Sequence, residues 1–367
     1  MKQNNDCRIV SVGKRRDGRL RYWCLVHHAN ATAKYGKRAK HCRYAHIPRI
    51  SADQILTLDP SNYAGGVAVW GAVPPIFDTT QKPTEHGIHV HARHTDSESK
   101  VIDGTYRSVR LIAPSADNNK REFIISELDA IYYMASSLFG FQVKHVQCTL
   151  CGFEHLDKDW FSVHAHRRHL CAGCGREFRD NEASIGNPMA KVRDALCIQP
   201  HSIAPASKDL DLEQHNYPGG IQIWGSNPAI LWTAKKNEET GIHIHAFNTD
   251  ETQPTFDETF RRVRIDGIRL EPTHIRTLMA QTALPHISGR VVAISCPECG
   301  NGHFDTGAES FTPHDHHTCP ACKATFRSRG RLRKTIGNPA IQMLAGLAKT
   351  AVRTPQVHQA HLLPETL

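Results

Sequence analysis

The chain has 367 residues, of which 40% are hydrophobic and 22% charged, a composition typical of a globular protein with two to four domains. We find no run of about eighteen apolar residues and no apolar leader, so we expect no membrane span, no secretion and a cytoplasmic location. The formal net charge of +9 favours an anionic partner, of which nucleic acid is the commonest. Twelve cysteines without a secretion signal indicate metal binding more than disulfides.

Residues 1–50 are a basic segment with a candidate zinc site. Four residues have zinc-finger-like spacing: Cys24, His27, Cys42 and His46. His28 and His41 are alternative ligands, and Lys37 and Arg38 lie in a cationic stretch suited to phosphate contacts. The alternative interpretation is a cationic surface loop that contains two unrelated cysteines.

Residues 51–140 form a first module with predominantly strand patterns. VAVW (67–70), GIHVHA (87–92) and YRSVRL (106–111) alternate as strands do, and 126–139 has helical spacing. The polar stretches 95–104 and 113–120 indicate loops. Because residues i and i+2 of a strand share a face, His89 and His91 are predicted to project together.

The His-x-His pair has three competing interpretations. With Asp96 or Asp103 it would make an open metal site of two imidazoles and one carboxylate, suited to iron or catalytic zinc. It could instead recognise a nucleotide-like anion, together with arginines and the aromatic rings of Tyr63 and Trp70. The third interpretation is a packing role with hydrogen bonds to Asp or Thr.

Residues 141–197 contain the pattern C-x2-C-x19-C-x2-C and the tetrapeptide IGNP at 185–188. Two facing C-x2-C pairs supply the four tetrahedral ligands that structural zinc requires: Cys148, Cys151, Cys171 and Cys174. This block resembles zinc ribbons as a class. Inside it lies a further set of candidate metal or ligand residues: His155, Asp157, His166 and His169. They either orient the loops of the ribbon or form a second site.

The stretch VHAHRRHLCAGC (163–174) also resembles the His-metal-finger nucleases of the recombination endonuclease VII type, which have a catalytic His before a second C-x2-C pair. The resemblance implies His166 as the catalytic residue. Val163 stands where that family has Asp, and Gly175 or Lys323 where it has Asn.

The rest of the chain repeats this order. Residues 198–290 are a second His-x-His module, in which 62–110 matches 216–264 without a gap. The matched residues include His243, His245 and the carboxylates Asp250 and Asp257. Residues 198–215 indicate a linker, and 275–284 has helical spacing.

Residues 291–345 repeat the ribbon and IGNP (336–339), and 346–367 form a tail. The repeated zinc ligands are Cys296, Cys299, Cys319 and Cys322. The repeated His/Asp set is His303, Asp305, His314 and His317. A basic tract suited to phosphate contacts contains Arg327, Arg329, Arg331 and Arg333.

The sequence thus predicts an α+β, β-rich, internally duplicated chain in which two His-x-His modules alternate with two zinc ribbons. We expect two structural zinc ions and a plausible third. The expected function is zinc-dependent binding of nucleic acid or a nucleotide-like anion. The alternatives are a metal-dependent enzyme, including a nuclease, and a scaffold for a protein partner.

Overall fold

The computed structural model describes residues 9–14, 20–24, 29–34, 39–42, 54–72, 74–80, 87–95, 100–114, 120–138, 141–196, 203–234, 238–248, 255–284, 286–328 and 334–353. These residues form many short strands and four α-helices, so the α+β, β-rich prediction is confirmed. None of the helices in these ranges is long and apolar enough to cross a membrane.

The first four strands form an antiparallel sheet in chain order: β1 (Ile9–Lys14), β2 (Leu20–Cys24), β3 (Ala29–Lys34) and β4 (Ala39–Cys42). Cys24 pairs with Ala29 and Cys42 pairs with Ala31, so the two cysteines flank β3 from opposite sides. The other predicted residues of this segment, His27, His46, Lys37 and Arg38, lie outside the described residues. The N-terminal zinc site therefore stays a prediction.

The first His-x-His module has seven strands and a helix. They are β5 (Ile55–Leu58), β6 (Gly66–Ala72), β7 (Phe77–Asp78), β8 (Gly87–Arg93), β9 (Ile102–Tyr106), β10 (Ser108–Pro114), β11 (Lys120–Ser126) and α1 (Glu127–Ser137). β8 lies between β6 and β9, and β10 lies between β11 and β5. A capping box of Ser126 and Asp129 starts α1, which packs against β6.

The first ribbon comprises β12 (Val143–Lys144), β13 (His166–Leu170) and β14 (Glu177–Gly186), followed by α2 (Met189–Leu196). β14 is the central strand: it pairs antiparallel with β13 and parallel with β12. A 3-10 helix over Asp159–Val163 precedes β13.

The second His-x-His module has eight strands and a helix. They are β15 (Ile203–Pro205), β16 (Asp209–Leu212), β17 (Gly220–Ser226), β18 (Leu231–Trp232), β19 (Glu238–Phe247), β20 (Phe256–Phe260), β21 (Arg262–Ile265), β22 (Ile268–Leu270) and α3 (Pro272–Ala283). β19 lies between β17 and β20, and β16 pairs parallel with β21 as β5 does with β10.

The second ribbon has strands of two or three residues, followed by a helix. They are β23 (Val291–Val292), β24 (Ile294–Ser295), β25 (Gly302–His303), β26 (His316–Thr318), β27 (Thr325–Arg327), β28 (Ile336–Gly337) and α4 (Ala340–Arg353). β24 pairs with β25, β26 with β27, and β23 runs parallel to β28.

Three boundaries predicted from the sequence are wrong. The expected loop at 95–104 contains the beginning of β9. The expected loop at 113–120 contains the last residues of β10 and the first residue of β11. The expected linker at 198–215 contains β15 and β16. Asp103 and Thr105 are polar because they face the site described below, and a polar strand face resembles a loop in sequence. In β16, Leu212 is buried, so the strand packs against the core.

The two modules exchange short strands. β7 of the first module pairs with β17 of the second, and β18 of the second pairs with β6 of the first. Tyr132 of α1 packs into the core that surrounds Ile223 and Ile244, so the two modules also share apolar contacts. The consequence is that the outer faces of β8 and β19 are brought close to one another.

Candidate metal centres

The eight ribbon cysteines form two clusters of four, compatible with the predicted zinc ribbons. Sulfur atoms approach to 3.8 and 3.5 Å in the first cluster and 3.6 and 3.6 Å in the second. A tetrahedral site with zinc–sulfur bonds of about 2.3 Å has sulfur atoms about 3.8 Å apart. The clusters therefore match the size of a zinc ion.

Each C-x2-C pair is followed by a residue in the left-handed backbone conformation: Gly152, Gly175, Gly300 and Lys323. This conformation lets the chain turn so that backbone N–H groups point at sulfur, as Leu150 does toward Cys148 at 3.4 Å. Such hydrogen bonds favour thiolates. Backbone N–H groups, that of Cys322 first, lower the pKa of Cys319 to about 6.

The first His-x-His pair forms a compact triad with Asp103, named here the first triad (His89, His91, Asp103). His91 lies opposite Asp103 on β9, and His89 lies opposite Thr105. The two Nε2 atoms are 2.7 Å apart, and Asp103 Oδ1 lies 3.6 Å from that of His89 and 3.1 Å from that of His91.

The second triad (His243, His245, Asp257) repeats this arrangement. The two Nε2 atoms are 2.9 Å apart, and Asp257 Oδ1 lies 3.2 and 3.1 Å from them. Three ligands on one face of an octahedral ion with bonds of about 2.1 Å are about 3 Å apart. Both triads therefore have the dimensions of a facial metal site, with Asp103 and Asp257 as carboxylates. Asp96 and Asp250, the other candidates, lie outside the described residues.

Neighbouring side chains orient the imidazoles. Thr105 Oγ1 lies 3.4 Å from Nδ1 of His89, and Thr259 Oγ1 lies 3.2 Å from Nδ1 of His243. A threonine hydroxyl that accepts the Nδ1 proton leaves the lone pair of Nε2 directed into the triad. The rings of Trp70 and Trp224 pack edge-on against His91 and His245, with centroids 4.5 Å apart in each case.

Lys100 joins the two triads. Its ammonium lies 3.0 Å from Asp103 Oδ2 and 2.9 Å from Asp257 Oδ2, so these oxygens are no more than about 6 Å apart. Each aspartate thus turns one oxygen to its own histidines and the other to the shared lysine. The triads form one composite centre between the two modules.

The ionisation of the triads suits metal binding. Burial lowers the pKa of His91 to about 4 and also lowers those of His89 and His243, so these imidazoles are neutral at pH 7. Burial would raise the pKa of Asp257, but the close contacts of its carboxylate with the rings of His243 and His245 outweigh burial and lower that pKa well below its ordinary value. Neutral imidazole and ionised carboxylate are the forms that coordinate metal.

The His/Asp sets inside the ribbons are more deeply buried than the triads. They are named the first buried cluster (His155, Asp157, His166, His169) and the second buried cluster (His303, Asp305, His314, His317). Asp157 and Asp305 are 5% and 2% exposed, whereas Asp103 and Asp257 have 34% and 19% of their side chains exposed. The triads are open to a ligand, and the buried clusters are closed.

The IGNP tetrapeptides connect the buried clusters to the helices. Gly186 donates its N–H to Asp157 Oδ2, and Gly337 donates to Asp305 Oδ2, both at 2.7 Å. A Cβ on either glycine would lie within 3 Å of a histidine ring. The Asn that follows caps the next helix: Oδ1 of Asn187 accepts the N–H of Met189 at the start of α2.

Two residues in or beside the composite centre were not predicted from the sequence. Lys100 lies in a stretch expected to be a loop, and Arg93 follows His91 on the same face of β8. Arg93 is 7% exposed, and its guanidinium lies 5.7 Å from the ring centre of Trp232. Within the described part of the chain, its Nε and Nη1 have no hydrogen-bond partner. The extended period-two pattern H-x-H-x-R was the available signal for Arg93; none existed for Lys100.

The predicted nucleic-acid contacts are only partly described. Arg327 is exposed and donates from Nε to His316. Arg329, Arg331 and Arg333 lie outside the described residues, as do Lys37 and Arg38. The first ribbon has an exposed aromatic surface that the sequence did not single out, formed by Trp160 and Phe161.

No protein-family model, curated protein or solved structure matches the chain, so only the chemistry of its own residues bears on its function.

Proposed function

We propose that this protein is a metal-dependent enzyme whose active centre is the pair of open triads, and that its substrate is an anion of the phosphate class. The observation that carries the proposal is the convergence of two imidazole nitrogens and one carboxylate oxygen, at 2.7 to 3.6 Å, in each triad. Lone pairs at these separations repel one another unless a cation lies between them.

The exposure of the triads supports catalysis over a structural role. Structural metal sites are closed by protein ligands, whereas catalytic sites keep positions open for water and substrate. Each triad supplies three ligands, and between 6% and 34% of each of these side chains is exposed. A bound divalent ion would polarise a phosphoryl oxygen and lower the pKa of a bound water.

The charges around the centre support an anionic substrate. Lys100 sits between the two aspartates. Arg93 lies on the same face of β8 as His89 and His91, and two of its guanidinium nitrogens have no hydrogen-bond partner among the residues that the structure describes. A buried arginine without a partner is costly, and a planar oxyanion or a phosphate satisfies it with paired hydrogen bonds. Arg93 would bind the anion, and Lys100 would hold the aspartates in register.

The test is hydrolysis of bis(p-nitrophenyl) phosphate and of single-stranded DNA by protein loaded with Zn²⁺, Mn²⁺ or Fe²⁺. We expect metal-dependent cleavage that falls at least about 100-fold in His91→Ala and in His245→Ala. His316→Ala, an exposed histidine of β26, is the matched control and keeps the wild-type rate. Equal rates in His91→Ala and His316→Ala would overturn the proposal.

Nucleic-acid binding is the second candidate, and the surface of the first ribbon favours it. Trp160 and Phe161 are 44% and 48% exposed, and His164 stacks on Trp160 with centroids 4.0 Å apart. Arg167 and Arg168 on β13 are exposed beside them. Stacking rings interleaved with arginines are the features that bind single strands.

Fluorescence anisotropy with a labelled single-stranded oligonucleotide tests this second function. Trp160→Ala is expected to weaken binding about 5- to 100-fold, with affinity that also falls steeply between about 50 and 200 mM salt. Ile124→Ala changes another exposed apolar residue, on β11, and serves as the control. Binding that is indifferent to both Trp160 and salt would contradict it.

A further inference from the structure

We infer that each ribbon holds a second metal ion, bound by three histidines and one aspartate in its buried cluster. This ion would be additional to that of the four cysteines and to those of the triads, and the inference does not depend on the proposed activity. The ligands would be His155, Asp157, His166 and His169 in the first ribbon and His303, Asp305, His314 and His317 in the second.

Three imidazole nitrogens converge on one carboxylate oxygen in each cluster. In the first, Asp157 Oδ1 lies 2.7 Å from His155 Nε2, 3.2 Å from His166 Nε2 and 3.4 Å from His169 Nδ1. In the second, the corresponding distances from Asp305 are 2.6, 3.3 and 3.4 Å. The same geometry occurs twice, and ligands of a tetrahedral zinc ion are about 3.3 Å apart.

Hydrogen bonds to backbone carbonyls fix one ring nitrogen of a histidine in each cluster. His166 Nδ1 lies 2.9 Å from the carbonyl oxygen of His164, and His314 Nδ1 lies 2.9 Å from that of Thr312. A carbonyl only accepts, so each Nδ1 carries a proton, and in a neutral ring the Nε2 then presents a lone pair. That lone pair faces a carboxylate oxygen, which is repulsive without a cation.

A doubly protonated histidine would not remove this conflict in the second cluster. His314 Nε2 is buried and makes no hydrogen bond to any residue in the described ranges, although Asp305 Oδ1 is only 3.3 Å away. A proton on His314 Nε2 would therefore not point at Asp305 Oδ1. The orientation is compatible with two ligand atoms that both point at a common ion. A backbone carbonyl that accepts the other ring N–H is the usual partner of a metal-bound histidine.

The surroundings of the clusters indicate a structural ion. His169 and His317 are each 1% exposed, and the second oxygen of each aspartate is held by the glycine N–H of IGNP. His166 and His314 have 15% and 19% of their side chains exposed, and the other ligands are at most 5% exposed. Four protein ligands with nitrogen and oxygen donors describe a structural site, for which zinc is the expected ion. The ion would fasten each ribbon to the helix that follows IGNP.

Elemental mass spectrometry of the full chain, purified without added metal, tests the inference. His314→Asn is expected to lose one zinc per chain relative to wild type. His316→Asn changes an exposed histidine two residues away and is expected to lose none. Equal zinc content in the two variants would overturn the inference.

X-ray absorption at the zinc edge provides a second test, which does not require the His314 variant to fold. The variant used is His91→Ala/His245→Ala/Cys24→Ser, which disables the triads and the predicted N-terminal site. We expect four zinc ions per chain, with nitrogen or oxygen supplying about half of the ligand atoms. Two zinc ions with sulfur ligands alone would overturn the inference, and this outcome is independent of the activity of the triads.

Discussion

The two halves of the chain share their metal-ligating residues and differ in the residues around them. Both triads, both cysteine clusters and both buried clusters have closely similar geometry. By contrast, Phe247 stands in the second half where Arg93 stands in the first, and Ala308 and Glu309 replace Trp160 and Phe161. The residues that could hold metal thus occur in both halves, whereas Arg93, Trp160 and Phe161, which would contact an anion or a base, belong to the first.

The largest expected effect is loss of a ribbon cysteine, which tests whether the halves depend equally on zinc. Cys296→Ser and Cys148→Ser should each lose one zinc and at least about 4 kcal/mol of unfolding free energy, because metal binding and folding are coupled. Urea unfolding and metal analysis measure both. Cys7→Ser, whose cysteine fits no ligand spacing, is the control. A cysteine variant with full zinc content and stability would refute this.

Exchanging Arg93 and Phe247 tests the asymmetry directly. Arg93→Phe removes a buried guanidinium that has incomplete hydrogen bonding among the described residues, and it should raise the unfolding free energy by about 1–3 kcal/mol. Phe247→Arg should lower it by about 3–5 kcal/mol. In a thermal-shift assay, we expect inorganic phosphate to raise the melting temperature of the wild type. Arg93→Phe should abolish this stabilisation. Phosphate stabilisation that survives in Arg93→Phe would show that Arg93 does not bind the anion.

Lys100→Met sharpens the comparison at the point where the two triads meet. The change removes a positive charge that competes with a metal, so Mn²⁺ should bind roughly tenfold tighter or better, as titration calorimetry would detect. Two carboxylates then face one another, and the metal-free protein should lose about 1 kcal/mol. Lys144→Met, at an exposed pair with Glu182, is the control. Unchanged or weaker Mn²⁺ binding would contradict a metal site here.

The smallest expected effect concerns the backbone of the cysteine loops. Lys323 has φ of 64°, where the three equivalent positions have glycine. Lys323→Gly should therefore raise the unfolding free energy by about 1 kcal/mol, and Gly175→Lys should lower it by a similar amount. Urea unfolding curves of the two variants measure this. A destabilised Lys323→Gly would mean that its side chain has a role of its own.

Local spacing predicted which cysteines and histidines lie together, because it reflects local geometry. C-x2-C pairs and the i, i+2 rule for a strand place Cys148 beside Cys151 and His89 beside His91 before any fold is known. The contact of Asp103 with this pair depends on the register of β8 with β9, which spacing alone leaves open.

Contacts between distant segments could not be predicted from the sequence. The exchange of β7 and β18 and the position of Lys100 between two aspartates depend on how the two modules pack. The role of IGNP was equally hard to predict. The N–H of Gly186 binds the carboxylate of Asp157, about thirty residues earlier in the chain, whereas Asn187 caps the helix that follows.

The most direct test of the central claim is metal content in the pair of variants Asp103→Asn and Asp257→Asn, measured with the wild type after dialysis against trace Mn²⁺ and Zn²⁺. Metal sites at the triads predict that each variant loses one ion per chain while the zinc of the cysteine clusters is retained. Identical metal content in all three proteins would contradict the account and leave the triads as a hydrogen-bonded network.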